Sequence, residues 1–149
     1  MKESQFTVQT PEDFADGISY ILSLSAPDSL FIMLHGDLGA GKTTFTQQLA
    51  KQLGIDDPVV SPTFSIMKVY ETANHDQFDQ LVHIDAYRIE EETELGPLRF
   101  AEQFEESRTI FCIEWPDNIA SVLPQDRVDV FIQIESDETR TVTVRSDLD

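Results

Sequence analysis

Gly36-Asp37-Leu38-Gly39-Ala40-Gly41-Lys42-Thr43 is the stretch of this sequence that decides the fold. It fits the pattern G-x-x-x-x-G-K-[ST], which is typical of a loop that holds nucleotide phosphates between a buried strand and a helix. The flanking residues predict that setting. The apolar run at 30–34 predicts a buried strand, and residues 44–53 predict a helix with Gly54 placed to cap its end. Strand, glycine-rich loop and helix in this order are what the motif requires.

Each residue type in this phosphate loop has a physical role. Glycines let the backbone turn its N–H groups inward and let phosphate oxygens approach closely. The N-terminus of the following helix adds partial positive charge. The Lys42 ammonium can reach the outer phosphates, and the Thr43 hydroxyl can join the coordination shell of Mg²⁺. The predicted nucleotide-binding residues are Asp37, Leu38, Gly39, Ala40, Gly41, Lys42, Thr43 and Thr44.

The chain is strongly acidic. Its 149 residues include 28 Asp and Glu against 10 Lys and Arg, which gives a formal net charge of −18. Such a surface repels nucleic-acid backbones, so we expect no tight direct binding of tRNA or DNA. It suits either simple solubility or docking on a basic partner. The length is typical of one domain with one core, and we predict a single domain over residues 1–149.

Cysteine usage and hydropathy predict a cytoplasmic protein. Cys112 is the sole cysteine, so a disulfide within the chain is impossible, and its apolar surroundings predict a small buried core residue. The sequence has no signal-peptide pattern and no apolar run near about 18 residues.

Strand and helix patterns alternate over the first two thirds of the chain. Residues 10–22 predict a helix with Thr10 as N-cap, and apolar runs at 81–85 and 109–114 predict strands. Residues 128–134 and 141–145 predict a hairpin. Further predicted elements are an edge strand at 5–8, a strand at 65–70, helical fragments within 90–107 and a short helix at 116–123. The pattern favours an α/β fold of the P-loop nucleotide-hydrolase type, with a mainly parallel sheet flanked by helices and antiparallel additions at the C-terminal end.

Asp85 and Glu114 each close an apolar strand. In a parallel α/β sheet, ligands bind outside the carboxyl ends of the strands, so both acids are expected on the same edge as the phosphate loop. An acid there holds Mg²⁺ directly or through water, or polarises the attacking water. The residues do not decide which acid has which role, and one of the two could instead cap a neighbouring helix.

Ser61-Pro62-Thr63-Phe64 lies between the predicted phosphate-loop helix and the Asp85 strand. Many nucleotide hydrolases place there a switch segment whose threonine senses the γ-phosphate, and Thr63 is the candidate. The alternative is a Ser-Pro turn that leads into a strand. His83, within a predicted buried strand, is interpreted as a core histidine rather than a catalytic one. Trp115 either lines the site or packs.

Taken together, these motifs resemble those of the TsaE family, also called YjeE, which are small bacterial P-loop ATPases needed to form threonylcarbamoyladenosine in tRNA. The resemblance covers nearly the whole chain. Besides the phosphate loop it rests on Ser61-Pro62-Thr63-Phe64, on His83-Ile84-Asp85-Ala86-Tyr87-Arg88 and on Glu114-Trp115-Pro116. One position departs from the pattern, because Arg99 stands where the family usually has glycine. The local turn there, and any partner contact it makes, are left open.

The resemblance implies an ATPase that uses ATP with Mg²⁺. Catalysis would involve Asp85, Lys42 and Thr63, with Asp85 near the attacking water, whereas Thr43 and Glu114 would hold the metal. The implied partner is the heterodimer of TsaB–TsaD type that transfers the threonylcarbamoyl group to adenosine, and ATP hydrolysis would reset that complex between turnovers.

Other interpretations of the phosphate loop remain. A small-molecule kinase would use the same cradle but needs several arginines around the transferred phosphate, and this chain has six in all. A non-catalytic nucleotide-sensing interaction module is the other alternative. A GTPase is disfavoured because the sequence lacks an N-K-x-D-type guanine-reading motif. The sequence does not indicate which residues hold adenine.

Overall fold

A computed structural model describes residues 2–24, 28–37, 39–60, 67–73, 75–87, 89, 100–124 and 126–148. The strands are β1 (Lys2–Val8), β2 (Leu30–His35), β3 (Met67–Glu71), β4 (Gln80–Asp85), β5 (Thr109–Glu114), β6 (Val128–Ile134) and β7 (Arg140–Ser146). The helices are α1 (Phe14–Leu22), α2 (Lys42–Gln52) and α3 (Phe100–Gln103), with 3₁₀ segments at Pro11–Asp13 and Pro116–Val122. None of the helices in these ranges is long and apolar enough to cross a membrane.

The strands form one sheet in the order β1-β7-β6-β2-β5-β4-β3. Its centre, β6-β2-β5-β4, is parallel. The β6–β7 hairpin is antiparallel, as the sequence predicted, and β1 extends that edge in the antiparallel sense. At the opposite edge β3 pairs antiparallel with β4. The predicted α/β fold with a mainly parallel sheet is confirmed, although the antiparallel strands lie at both edges rather than only at the C-terminal end.

Both faces of the central strands are buried, which explains their continuous apolar runs. All six residues of β5 are buried. Helices α1 and α2 cover one face through a stripe of large side chains at helical spacing, which includes Phe14, Ile18, Ile21, Phe45 and Leu49. The other face packs against Ile119 of the second 3₁₀ segment and Phe104. Cys112 is buried in the core on the side of α1 and α2, as expected from its apolar surroundings.

Two predicted helices are wholly or partly 3₁₀ structure. Residues 11–13 form a 3₁₀ turn before α1, and the Asp13 carboxylate accepts the backbone N–H groups of Gln9 and Thr10 at 2.8 and 3.0 Å. The predicted helix at 116–123 is a kinked 3₁₀ segment. Its N-cap residue, Trp115, has a left-handed conformation with φ 57°, and Ile119 has a non-helical φ of −129°. Both segments therefore start at the proline that predicted them, but both begin as 3₁₀ rather than α structure.

Helix α2 ends as the sequence predicted, at a glycine turn. Gly54 has φ 75°, its N–H donates to the Lys51 carbonyl, and the Ile55 N–H donates to the Ala50 carbonyl. This pair of hydrogen bonds satisfies carbonyls that the helix end leaves unpaired. A Cβ at position 54 would lie 3.6 Å from Ala73, an ordinary contact, so only the left-handed backbone resists a side chain there.

We therefore expect Gly54→Ala to lower the free energy of unfolding by about 1 kcal/mol, the lower end of the cost of a left-handed alanine. Gly17→Ala is the matched control, because Gly17 lies inside α1 and a Cβ added there would lie 3.4 Å from the Phe6 ring. Helix propensity predicts that this second change raises stability by roughly 0.5–1 kcal/mol. Urea unfolding of both variants measures the difference. Equal effects of the two changes would contradict the assigned turn.

Candidate functional site

A cavity of about 300 Å³ opens where β2, β5 and β4 end side by side. The parallel register places Leu34 beside Glu114, and Glu114 beside Asp85. Residues of the phosphate loop and of these strand ends line the cavity, namely Gly39, Gly41, Lys42, Thr43, Thr44, Asp85, Tyr87, Glu114 and Trp115. The fold thus brings the loop and both strand-end acids into one cavity.

The phosphate loop leads directly into α2, and the N-terminus of this helix lies at the cavity. Gly41 is the N-cap, and Lys42 begins the helix, two residues earlier than the sequence predicted. The first amides of a helix have no partners within it, and no described side chain caps this end. Unpaired N–H groups and the helix dipole together make the position suited to an anion.

Lys42 is buried at the wall of the cavity. Its Nζ donates to the Gly36 carbonyl at 2.7 Å and lies 3.6 Å from the centroid of the Trp115 ring. Burial lowers the pKa of Lys42, and the negative charges of Glu114, Asp85 and Asp37, in that order, oppose this effect. One lysine and two acids therefore line the cavity.

The two strand-end acids have different surroundings. Glu114 is only 4% exposed, and its Oε2 lies 2.6 Å from Nε2 of His83. Asp85 is partly exposed, and its Oδ1 accepts the Tyr87 N–H at 3.0 Å. A buried carboxylate with a buried partner is held in one orientation, whereas the Asp85 carboxylate lies nearer the mouth of the cavity.

His83 is buried, as interpreted from the sequence, but it also bonds to the site. Its Nδ1 has no hydrogen-bond partner in the part of the chain that the structure describes, so Glu114 is the polar partner of its ring there. The alternation of side chains along β4 and β5 indicates this contact between His83 and Glu114, which the sequence analysis did not predict. His83 and Asp85 share a face of β4, Cys112 and Glu114 share a face of β5, and His83 pairs with Cys112.

The remaining predicted residues divide into two groups. Asp37 and Ala40 line a neighbouring cavity beside residues 132–134 of β6. Leu38, Thr63, Arg88 and Arg99, with the rest of the segment at 61–66, lie outside the described residues. Trp115, for which the sequence left two interpretations open, lines the main cavity and contacts Tyr87 with a ring-centroid separation of 5.2 Å.

A second cavity of about 160 Å³ adjoins the first on the side of α1. The two share Gly41 and Thr44 of the phosphate loop. The other residues that line it are Val8, Gln9, Thr10, Pro11, Phe14, Ala40 and Arg140. Arg140, the first residue of β7, donates from Nε to the Ala40 carbonyl at 3.0 Å, a contact across 100 residues that no local pattern indicates.

Known proteins resemble this chain over most of its length. The family model described as "Threonylcarbamoyl adenosine biosynthesis protein TsaE" matches residues 8–142. A Bacillus subtilis protein named "tRNA threonylcarbamoyladenosine biosynthesis protein TsaE" is 36% identical over 144 residues, which is 96% of this chain and 85% of the relative. A Streptomyces coelicolor protein of the same name is 36% identical over 121 residues, 76% of this chain and 77% of the relative. The crystal structure of Bacillus subtilis YdiB aligns with a TM-score of 0.74 at 31% identity and covers 97% of this chain and 86% of that one.

The His83–Glu114 pair predicts a stability effect. His83→Leu would leave the buried Glu114 carboxylate without its donor, so we expect the free energy of unfolding to fall by about 3 kcal/mol. His35→Leu is the matched control, because His35 bonds to Asp129 at 2.9 Å but both side chains are more than a fifth exposed. That change should cost less than about 1 kcal/mol. Urea unfolding compares the two, and a His83→Leu cost no greater than the control's would show that the pair is not held as the structure has it.

Proposed function

The chain belongs to the TsaE family, and from that premise we propose that it is a Mg²⁺-dependent ATPase that supports threonylcarbamoyladenosine formation in tRNA. One observation carries the proposal. The N-terminus of α2, Lys42 and two strand-end acids all face a single cavity. Unpaired amides and a cation suit the phosphates, and the acids suit a metal ion and a water molecule.

Residues of the loop would bind the phosphates. The N–H groups at the start of α2 would donate hydrogen bonds to phosphate oxygens. The Nζ of Lys42 would exchange the Gly36 carbonyl for an outer phosphate. Exchange is favourable because a phosphate oxygen is charged and the carbonyl is not.

Oxygen donors in the cavity fit Mg²⁺. Thr43 offers a hydroxyl and Glu114 a carboxylate, and Mg²⁺ prefers such hard oxygen ligands together with phosphates. When bound, the ion supplies positive charge that offsets both the phosphates and the acids. His83 bonds to one oxygen of Glu114 and fixes the carboxylate, so that the other oxygen would face the cavity in a fixed orientation. This arrangement supports the role of a metal ligand.

Asp85 would orient the attacking water. In hydrolysis the water oxygen bonds to the γ-phosphorus, the bond from that phosphorus to the β–γ bridging oxygen breaks, and ADP and phosphate leave. Asp85 is the more exposed of the two acids, so a water molecule from solvent has access to its carboxylate.

The second cavity would hold the nucleoside. It adjoins the phosphate loop at Gly41 and Thr44, and its wall includes the apolar side chains of Val8, Pro11 and Phe14. Apolar walls with a few polar groups are typical of sites for planar ligands. The base would therefore lie between α1 and the loop.

The proposed partner is the threonylcarbamoyl-transfer heterodimer of TsaB–TsaD type. A net charge of −18 disfavours direct contact with tRNA and favours docking on a basic protein surface. The ATPase would act on that complex rather than on the RNA itself.

The two acids should be separable by substitution. Asp85→Asn should leave ADP affinity within a few-fold and lower ATP hydrolysis by roughly 10²-fold, the usual scale for loss of a positioned base. Glu114→Gln should instead weaken the Mg²⁺ dependence of nucleotide binding. Lys42→Ala serves as the variant that loses productive ATP binding. Calorimetric titration with and without Mg²⁺, beside a phosphate-release assay, measures all three.

Three outcomes would change the assignment. If Asp85→Asn abolishes Mg²⁺-dependent binding while Glu114→Gln affects only hydrolysis, the two roles are exchanged. If neither acid matters, the metal and water assignments fail. If Lys42→Ala hydrolyses ATP normally, the phosphate-loop assignment is wrong.

The charge of the chain predicts a salt dependence for its binding partners. The isolated chain should bind tRNA weakly or not at all near physiological salt, because its acidic surface repels the phosphates. Its association with the heterodimer should strengthen as salt is lowered if the acidic surface docks there. Titrations of labelled tRNA and of purified heterodimer at several salt concentrations test both points, and tight tRNA binding by the isolated chain would contradict the proposal.

A further inference from the structure

Arg140 holds a carbonyl of the phosphate loop from the far end of the chain. It is the first residue of β7, and its Nε donates to the Ala40 carbonyl at 3.0 Å. Its Nη1 donates to the Glu138 carbonyl within the same hairpin. The guanidinium therefore ties the tip of the β6–β7 hairpin to the loop, with both contacts made to backbone oxygens.

The bound carbonyl determines where the next amide points. In a trans peptide unit the C=O and N–H groups point in opposite directions. The Ala40 carbonyl points to Arg140, so the Gly41 N–H points away from Arg140. Arg140 and Ala40 line the second cavity and not the main one, whereas Gly41 lines both, so an amide directed away from Arg140 is directed toward the main cavity, where phosphates would bind.

The same hairpin supports the loop at its other end. A Cβ at Gly36 would lie 2.7 Å from the carbonyl oxygen of Ile132 in β6, a distance that side chains do not tolerate. The loop backbone therefore packs directly on β6 at Gly36 and is bonded to β7 at Ala40.

We propose that Arg140 is a positioning residue of the phosphate loop, which aims the Gly41 N–H into the cavity by holding the Ala40 carbonyl. The role rests on the proposed function, because it matters only if phosphates bind there. Arg140 itself also lines the second cavity, so a direct contact with the nucleoside is the competing role that an experiment must separate.

Two probes separate these roles. ADP carries both phosphates and nucleoside, whereas inorganic pyrophosphate carries phosphates alone. We expect Arg140→Gln to weaken the binding of both probes by roughly tenfold, the scale of one charge-assisted hydrogen bond. Arg145→Gln is the matched control, since Arg145 lies on the same strand, bonds to Glu3 at 2.7 Å and changes net charge equally. It should alter neither affinity by more than about twofold.

A spectroscopic measurement tests the direction of the Gly41 N–H group. In ¹⁵N–¹H spectra, the Gly41 amide of the unsubstituted chain should shift when pyrophosphate is added, and Arg140→Gln should reduce that shift while Arg145→Gln leaves it unchanged. A role confined to folding would lower the unfolding midpoint without changing the Gly41 response of the folded protein. If Arg140→Gln does not fold, Arg140→Lys is measured in the same way, because it keeps the charge but loses the planar guanidinium.

Two outcomes would overturn the proposal. Arg140→Gln could match Arg145→Gln with both probes, which would show that the contact does not position the loop. It could instead weaken ADP alone, which would show that the guanidinium contacts the nucleoside. Failure of the unsubstituted chain to bind either probe would contradict the proposed function and is distinguishable from both.

Discussion

The in-register ends of three parallel strands are the constraint on which the site depends. Leu34, Glu114 and Asp85 are neighbours across β2, β5 and β4. Side chains alternate between the faces of a strand, so a slip of one residue in β5 would turn Glu114 away from α2 and the phosphate loop. The same slip would exchange the residues that β5 packs against its two apolar faces. The packing of the core and the placement of the acid are therefore fixed by one register.

The two carboxylates at the strand ends are chemically alike but have different surroundings. Glu114 is buried against His83, whereas Asp85 lies near the mouth and accepts a bond from the backbone of Tyr87. A buried carboxylate is costly unless it is paired, so His83 is what allows an acid at that position. Under the proposed function, the pairing would keep one Glu114 oxygen in a fixed direction, and the greater exposure of Asp85 would suit a group that exchanges with water.

Local sequence patterns predicted the elements better than the contacts between them. The strands at 81–85 and 109–114 and the hairpin at 128–145 follow from apolar runs and turn residues, and the structure has them within about one residue. The helical segment before α1 starts at Pro11 with Thr10 as N-cap, as the sequence predicted, but residues 11–13 are 3₁₀ rather than α structure, which the proline signal does not reveal. The Arg140–Ala40 bond joins residues 100 apart and depends on the sheet order, which the local pattern does not contain. The His83–Glu114 pair was accessible in principle, since it needs only strand alternation and a correct pairing of β4 with β5.

Charge explains why backbone geometry carries so much of the site. The chain has net charge −18, and Lys42 is the one cation among the described residues that line the main cavity. Under the proposed function, attraction to phosphates would therefore come largely from oriented amides and from a metal ion. Lys42 binds the carbonyl of Gly36, and Arg140 binds that of Ala40. Because the carbonyl and the amide of a trans peptide unit point in opposite directions, the bond to Arg140 turns the Gly41 N–H away from the hairpin. Under the proposed function the Lys42 ammonium would leave Gly36 for a phosphate, so the Arg140 contact is the one that would keep a loop amide oriented toward an anion, in a protein whose net charge of −18 opposes anion binding.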